Sequence, residues 1–212
     1  MFAYCNNNPC NQADGGGCCS YFLFIKNDCY KVFCPDSVCY DPDASTIVVI
    51  YDGRDSGSLI RFVDRGDNGF QHQGQELIKR LSLYYKVEGY AYTTMDDFVN
   101  IWNSLDGSYD DIYILGHGQP GKFNAIGGSL RDSGSEYSYS NLNSVNVKDI
   151  YLYICNGDTW PEEGTSTAYS FANLTGASVH AVRDGKLSFT WYGCYPYMPR
   201  EYRGVWTITS PS

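Results

Sequence analysis

A cysteine and a histidine, each closing an apolar run, are the residues of this chain best suited to chemistry. Asp111-Ile112-Tyr113-Ile114-Leu115-Gly116-His117-Gly118 ends in His-Gly, and Asp149-Ile150-Tyr151-Leu152-Tyr153-Ile154-Cys155-Asn156-Gly157 carries Cys at its close. A thiolate attacks a carbonyl carbon, and an imidazole beside it takes up and returns the proton that acyl transfer needs. The turn Asn156-Gly157-Asp158 brings the sulfur out of the sheet and leaves the Cys155 N–H as an oxyanion donor. Gly118 has no side chain, so a substrate carbonyl can approach its N–H, a second donor. The expected catalytic pair is His117 and Cys155, with Gly118 and Cys155 as the oxyanion pair. This chemistry requires no metal and no cofactor. His72, in a polar stretch before a helix, reads as a surface or cap residue. His180, inside Ser178–Val182, reads as a satisfied core imidazole. Cys194 sits among turn residues with no histidine in its local sequence.

The elements that must position this pair follow from periodicity. Thr46 to Tyr51 is a β-branched run stopped by Asp52-Gly53, a buried strand. Gln73 to Lys86 spaces Leu77, Ile78, Leu81 and Tyr85 as a helix face. Val87 to Thr93 is the next strand. Thr94 caps a helix from Met95 to Leu105, with Phe98, Ile101, Trp102 and Leu105 on one face. The segment from Lys122 to Val147 is Gly/Ser/Asn-rich and predicts a hairpin and loop beside the site. Thr165 to Leu174 predicts a helix ended by Gly176, and Ala177 to Val182 a strand. Lys186 to Thr209 alternates aromatics and predicts a hairpin. Strand–helix alternation with wholly apolar strands predicts an α/β fold, a mostly parallel sheet with helices on both faces. In such sheets chemistry sits beyond the carboxyl ends of the strands, where His117 and Cys155 fall.

Composition narrows the rest. The 212 residues allow one core, or a core with a small appendage. A net charge of −9 argues against nucleic acid as partner. No apolar run is long enough to span a bilayer, which argues against membrane insertion, and no signal peptide is legible at the N-terminus. Of nine cysteines, Cys5, Cys10, Cys18, Cys19, Cys29, Cys34 and Cys39 crowd the start, leaving Cys155 and Cys194 beyond. Disulfides, zinc ligation and unmodified thiols all fit that N-terminal cluster.

Acidic residues at the same sheet edge bear on the substrate. Asp52, Asp55, Asp158 and Asp184 follow the strands and would suit a basic side chain. Each is equally well read as a turn former. Arg54 and Arg183 share that edge and would suit an acidic substrate instead.

"IYILGHG" and "LYICNGD", in that order on consecutive strands, resemble the caspase-like peptidases of clan CD, which include clostripain, gingipains, separases and bacterial CHAT domains. The resemblance covers roughly residues 46–185. It implies a caspase-hemoglobinase-like three-layer sandwich with endopeptidase activity. His117 then serves as general acid/base, Cys155 as nucleophile and Gly118 as oxyanion donor. The Gln-Ala-Cys context of caspases is replaced here by Tyr153-Ile154-Cys155, so an Asp preference is not inherited. The turn Asn156-Gly157 is closer to CHAT-like members.

A second resemblance lies at the start. Met1-Phe2-Ala3-Tyr4-Cys5-Asn6-Asn7-Asn8-Pro9-Cys10-Asn11-Gln12-Ala13-Asp14 is similar to the end of an RHS/YD-repeat core. Gly15 stands where that pattern has Pro. The match implies three parts: residues 1–17 as the tail of an RHS core, 18–45 as a Cys-rich linker or small hairpin, and 46–212 as the peptidase domain. It further implies a toxin or effector delivered to a target cell, or secreted, as part of a larger bacterial protein. Its partners would be a protein or peptide substrate, the RHS shell and an immunity protein. The alternatives are a catalytically inactive caspase-like binding module, a thiol acyltransferase or deamidase using the same dyad, and a metal-binding module confined to residues 1–40.

Overall fold

The computed structural model describes residues 20–25, 28–33, 46–54, 69–82, 85–132, 136–185, 188–189, 196–197 and 205–212. The RHS-like motif, Asp55, Cys194 and all the N-terminal cysteines but Cys29 lie outside them. Strands β1 (Ser20–Ile25) and β2 (Asp28–Phe33) form the antiparallel hairpin expected within residues 18–45, with Cys29 opposite Phe24.

From position 46 the chain alternates. β3 (Thr46–Asp52) leads to α1 (Gly69–Leu81), β4 (Lys86–Tyr92), α2 (Met95–Asn103) and β5 (Ser108–Leu115). Four short strands follow: β6 (His117–Gln119), β7 (Lys122–Ala125), β8 (Gly128–Arg131) and β9 (Tyr137–Ser138). Then come β10 (Asn146–Tyr153), α3 (Thr167–Thr175), β11 (Ser178–Arg183), β12 (Ser188–Phe189), β13 (Pro196–Tyr197) and β14 (Val205–Thr209). Six strands form one sheet in the order β14-β11-β10-β5-β3-β4. All its pairs are parallel except β11 with β14. The small strands β6-β7-β8-β9 make a second sheet beside it.

Period-two alternation sorts the strand residues onto two faces. Val48, Ile50, Ile112, Ile114, Ile150 and Leu152 pack with Phe98 and Trp102 of α2 and Ala168 and Phe171 of α3. Ile47, Val49, Tyr51, Tyr113, Leu115 and Tyr153 pack with Phe70 and Leu77 of α1. Helices therefore lie on both faces of a mostly parallel sheet, an α/β sandwich as expected from the wholly apolar strands.

Helix ends follow local chemistry. Thr94 accepts from the Asp97 amide while the Asp97 carboxylate accepts from the Thr94 amide, a capping box. Ser166 caps α3, and Gly176 ends it with φ of 77°. Two expectations need adjusting. α1 begins at Gly69, so His72 stands inside the helix; Phe70 continues the Leu77 stripe through a polar stretch that hides the period. The tail makes a small hairpin of β12 with β13, but β14 leaves it and adds to the main sheet as an antiparallel edge.

Near the strand starts, Asp111 of β5 stands directly across from Asp149 of β10. His180 is the satisfied imidazole anticipated: its ring stacks on Tyr151 at 4.4 Å, and Nε2 lies 2.9 Å from Asp149 Oδ1. Burial pushes the Asp111 carboxyl up to about 6; Asp149 and Asp110 add to the rise, and the Tyr113 hydroxyl and His180 oppose it. A carboxyl raised on folding binds its proton more tightly in the native state, so stability falls as pH rises from about 4 to about 6. Asp111→Asn is expected to add on the order of 1–3 kcal/mol at pH 7.5 and close to nothing at pH 4. Urea midpoints at the two pH values check this, and an equal gain at both refutes it.

Candidate active site

The register of β5 with β10 runs to Leu115 opposite Tyr153. One more bond, Gly116 N–H to Tyr153 O at 3.3 Å, closes the ladder before the two chains part. At Gly116 the buried Tyr92 hydroxyl occupies the side-chain space, 2.0 Å from where a Cβ would stand, and donates to Leu115 O at 3.2 Å. His117 and Cys155 each follow two positions later, on adjacent parallel strands at the same carboxyl edge. Leu115 and Tyr153 both face α1, and Phe70 of that helix meets the His117 ring edge-on at 4.9 Å. Cys155 is half-buried and carries a thiol rather than half of a disulfide.

His117 is not the last residue of β5 but the first of a hairpin. Gln119 pairs with Lys122 across Pro120-Gly121, and Gly121 has φ of 68°. Pro then Gly with positive φ is the chemistry of a type II turn. A two-residue loop makes its flanking pair a hydrogen-bonded one, so the next pair, Gly118 with Phe123, is non-hydrogen-bonded. The Gly118 N–H therefore turns away from β7, as an oxyanion donor must. The reason for glycine here differs from the expected one. A Cβ at 118 would stand 2.4 Å from the Cys155 carbonyl oxygen and 3.0 Å from Ile154 Cβ. Close approach of the protein's own Cys155 turn requires it.

Residues 155–158 form a braced turn. Asn156 holds φ of 54°, a left-handed conformation that asparagine tolerates. Backbone bonds run from Asn156 N to Gly185 O at 2.8 Å, Asp158 N to Val182 O at 3.0 Å and Ala168 N to Gly157 O at 2.9 Å. The Asp158 carboxylate, 1% exposed, accepts from Ser166 Oγ at 3.0 Å, Thr207 Oγ1 at 2.7 Å, Thr209 Oγ1 at 3.0 Å and Arg183 Nε at 3.0 Å. It thus ties the turn to α3, β11 and β14, and its oxygens are engaged by internal donors. Sequence reasoning missed this role because the threonine donors lie some fifty positions away, with no local signal.

The other acids separate. Asp52 is buried at the end of β3 and pairs with Arg54, whose Nε reaches it at 2.8 Å. Both arginines at this edge, Arg54 and Arg183, hold a buried aspartate in this way. Asp184 is exposed with φ of 52°, and its N–H donates to Thr159 Oγ1 at 2.6 Å. Asp55 lies outside the described residues. The structure thus brings His117, Gly118 and Cys155 to one edge but commits Asp52 and Asp158 to internal partners.

No protein-family model, no curated protein and no solved structure matches the chain.

Removing the buried Asp158 carboxylate leaves Arg183 without its charge partner and the Ser166 and Thr209 hydroxyls without their acceptor, while Thr207 retains Ala181 O at 3.1 Å. Asp158→Ala is expected to destabilise by about 1–3 kcal/mol, since buried hydroxyls lose their acceptor while the half-exposed Arg183 can turn to water, whereas Asp184→Asn, on an exposed left-handed residue that asparagine tolerates, stays within about 0.5 kcal/mol. Chemical denaturation of both variants tests the contrast; similar costs would remove Asp158 from the role given to it.

Proposed function

We propose that residues 46–212 act as a cysteine endopeptidase of the caspase-like type. The supporting observation is the shared register: a thiol and an imidazole, each two residues past the in-register pair Leu115–Tyr153, with the Gly118 amide turned out beside the nucleophile turn. Cys155 Sγ, as thiolate, attacks the scissile carbonyl carbon. The N–H groups of Gly118 and Cys155 hold the resulting oxyanion, at positions fixed by the backbone before substrate arrives. The C–N bond breaks as the His117 imidazolium gives its proton to the leaving amine. His117 then takes a proton from water, whose oxygen attacks the thioester and releases the acid and the thiol.

Specificity before the cut is assigned to side chains other than Asp52 and Asp158, whose charges are already met. Asp184 and Asp55 are the remaining acids for a basic substrate. The RHS-like start supports a further part of the proposal, that the domain is the delivered effector of a larger protein and meets an immunity protein in its producer.

Cys155→Ala and His117→Ala are each expected to lower cleavage of a mixed peptide library by about 10³-fold or more. An electrophilic peptide probe should label Cys155 in the wild-type chain. Gly118→Ala, with a methyl group driven onto the Cys155 carbonyl, should slow that labelling at least about tenfold with a folding cost of about 1–3 kcal/mol. Cleavage unchanged in Cys155→Ala, or a probe that labels no cysteine at position 155, ends the peptidase reading. An acyl group transferred to an added amine in preference to water would reassign the same dyad to acyl transfer.

A further inference from the structure

A histidine that must accept and return protons needs its ring held, with one nitrogen engaged so that the other faces the sulfur. The small sheet supplies a row of side chains for this. His117 of β6 pairs with Asn124 of β7, and Asn124 pairs with Ser129 of β8. Paired residues on antiparallel strands point to the same face, with Cβ atoms about 4.5–5.5 Å apart. The neighbouring row fixes which face that is. Phe123 and Leu130 are fully buried in the core and Gly118 lies against Ile154, so His117, Asn124 and Ser129 share the opposite face. All three are half-buried there.

Asn124 is itself held. β7 and β8 are joined by the two-residue loop Ile126-Gly127, with Gly127 at φ of 87°, which makes Asn124 and Ser129 a non-hydrogen-bonded pair with closely set side chains. The Ser129 hydroxyl donates to Asn124 Oδ1 at 2.7 Å. The loop is anchored in turn, since Met95 at the start of α2 donates its N–H to Ile126 O at 2.9 Å. From α1, Phe70 blocks one swing of the His117 ring, its own ring 82° to the imidazole.

We propose that Asn124, steadied by Ser129, is the positioning residue that orients the His117 imidazole through its side-chain amide. This rests on the reading of His117 as the general acid–base group. Asn124 offers both a carbonyl oxygen, already accepting from Ser129, and an NH₂ to one ring nitrogen, and on this proposal the other nitrogen serves Cys155. No other side chain stands in register beside His117 on β7.

Nitrogen-15 NMR of the histidines in the full chain, with His117→Ala to identify the resonance, reads this without relying on cleavage. The wild-type ring should show one dominant neutral tautomer. Asn124→Ala should mix the tautomers and lower kcat about tenfold or more, a fraction of the 10²–10⁴ that acid–base catalysis supplies, with KM unchanged. Asn124→Asp, nearly isosteric, should keep the fold and raise the His117 titration midpoint by about one pH unit or more, because a carboxylate stabilises the imidazolium. Circular dichroism confirms that each variant is folded. A His117 midpoint and tautomer ratio that stay at wild-type values in both variants overturn the proposal. A shifted His117 in a chain that cleaves no peptide upholds the positioning and rejects the peptidase reading.

Discussion

The parallel pairing of β5 with β10 is the constraint on which the rest depends. A one-residue slip between these strands would turn every side chain of one of them to the other face. Here the two faces are filled by different partners, aliphatic residues with α2 and α3 on one and tyrosines with α1 on the other. Slippage would drive Tyr113 or Tyr153 into the aliphatic layer, so the register is fixed far from the site. Because it is fixed, the chains part at matched positions, and His117 and Cys155 emerge side by side.

What happens beyond that edge is a problem of holding irregular backbone still. The sheet solves it by burying acceptors at strand ends. Asp52 accepts from the Arg54 amide and guanidinium just past β3, and Asp158 gathers donors from three elements just past β10. Asp132, an exposed carboxylate, braces the approach to α3, accepting from the Thr165 amide at 2.8 Å and the Ser170 hydroxyl at 2.8 Å. Asp52 and Asp158 are tolerable in their buried places because their oxygens are met by donors, and each would be costly otherwise. Asp52 and Asp158 at this edge are therefore engaged in holding the fold, although their placement after strands gives them the look of substrate ligands.

That ambiguity marks how far the sequence is readable. The strands around His117 and Cys155 were legible because their apolar runs end abruptly at Gly116 and at Asn156-Gly157. α2 was legible down to its cap, since Thr94 and Asp97 form a local pattern. The bracing role of Asp158 was not legible, beyond the two readings of substrate ligand and turn former, because its partners Arg183, Thr207 and Thr209 are distant in sequence and each is ordinary where it stands. The reason for Gly118 was likewise hidden, since the atom that crowds it, the Cys155 carbonyl oxygen, belongs to another strand end. The segment from Lys122 to Val147 was anticipated only as a hairpin and loop. Its strands are two to four residues long, too short for a period, and turns such as Pro120-Gly121 and Ile126-Gly127 carry its shape.

The bond from Thr209 to Asp158 also sets an order of events in time. The residues of the Cys155 turn are complete at position 158, but two of the hydroxyls that satisfy its carboxylate come with β14, 49 and 51 positions later. At translation speeds of about 5–20 residues per second, that interval lasts roughly 3–10 s. Through it the aspartate has Ser166 and then Arg183, but no edge strand to close over it. The bracing of the turn beside the sulfur is therefore complete only once the antiparallel edge is laid down.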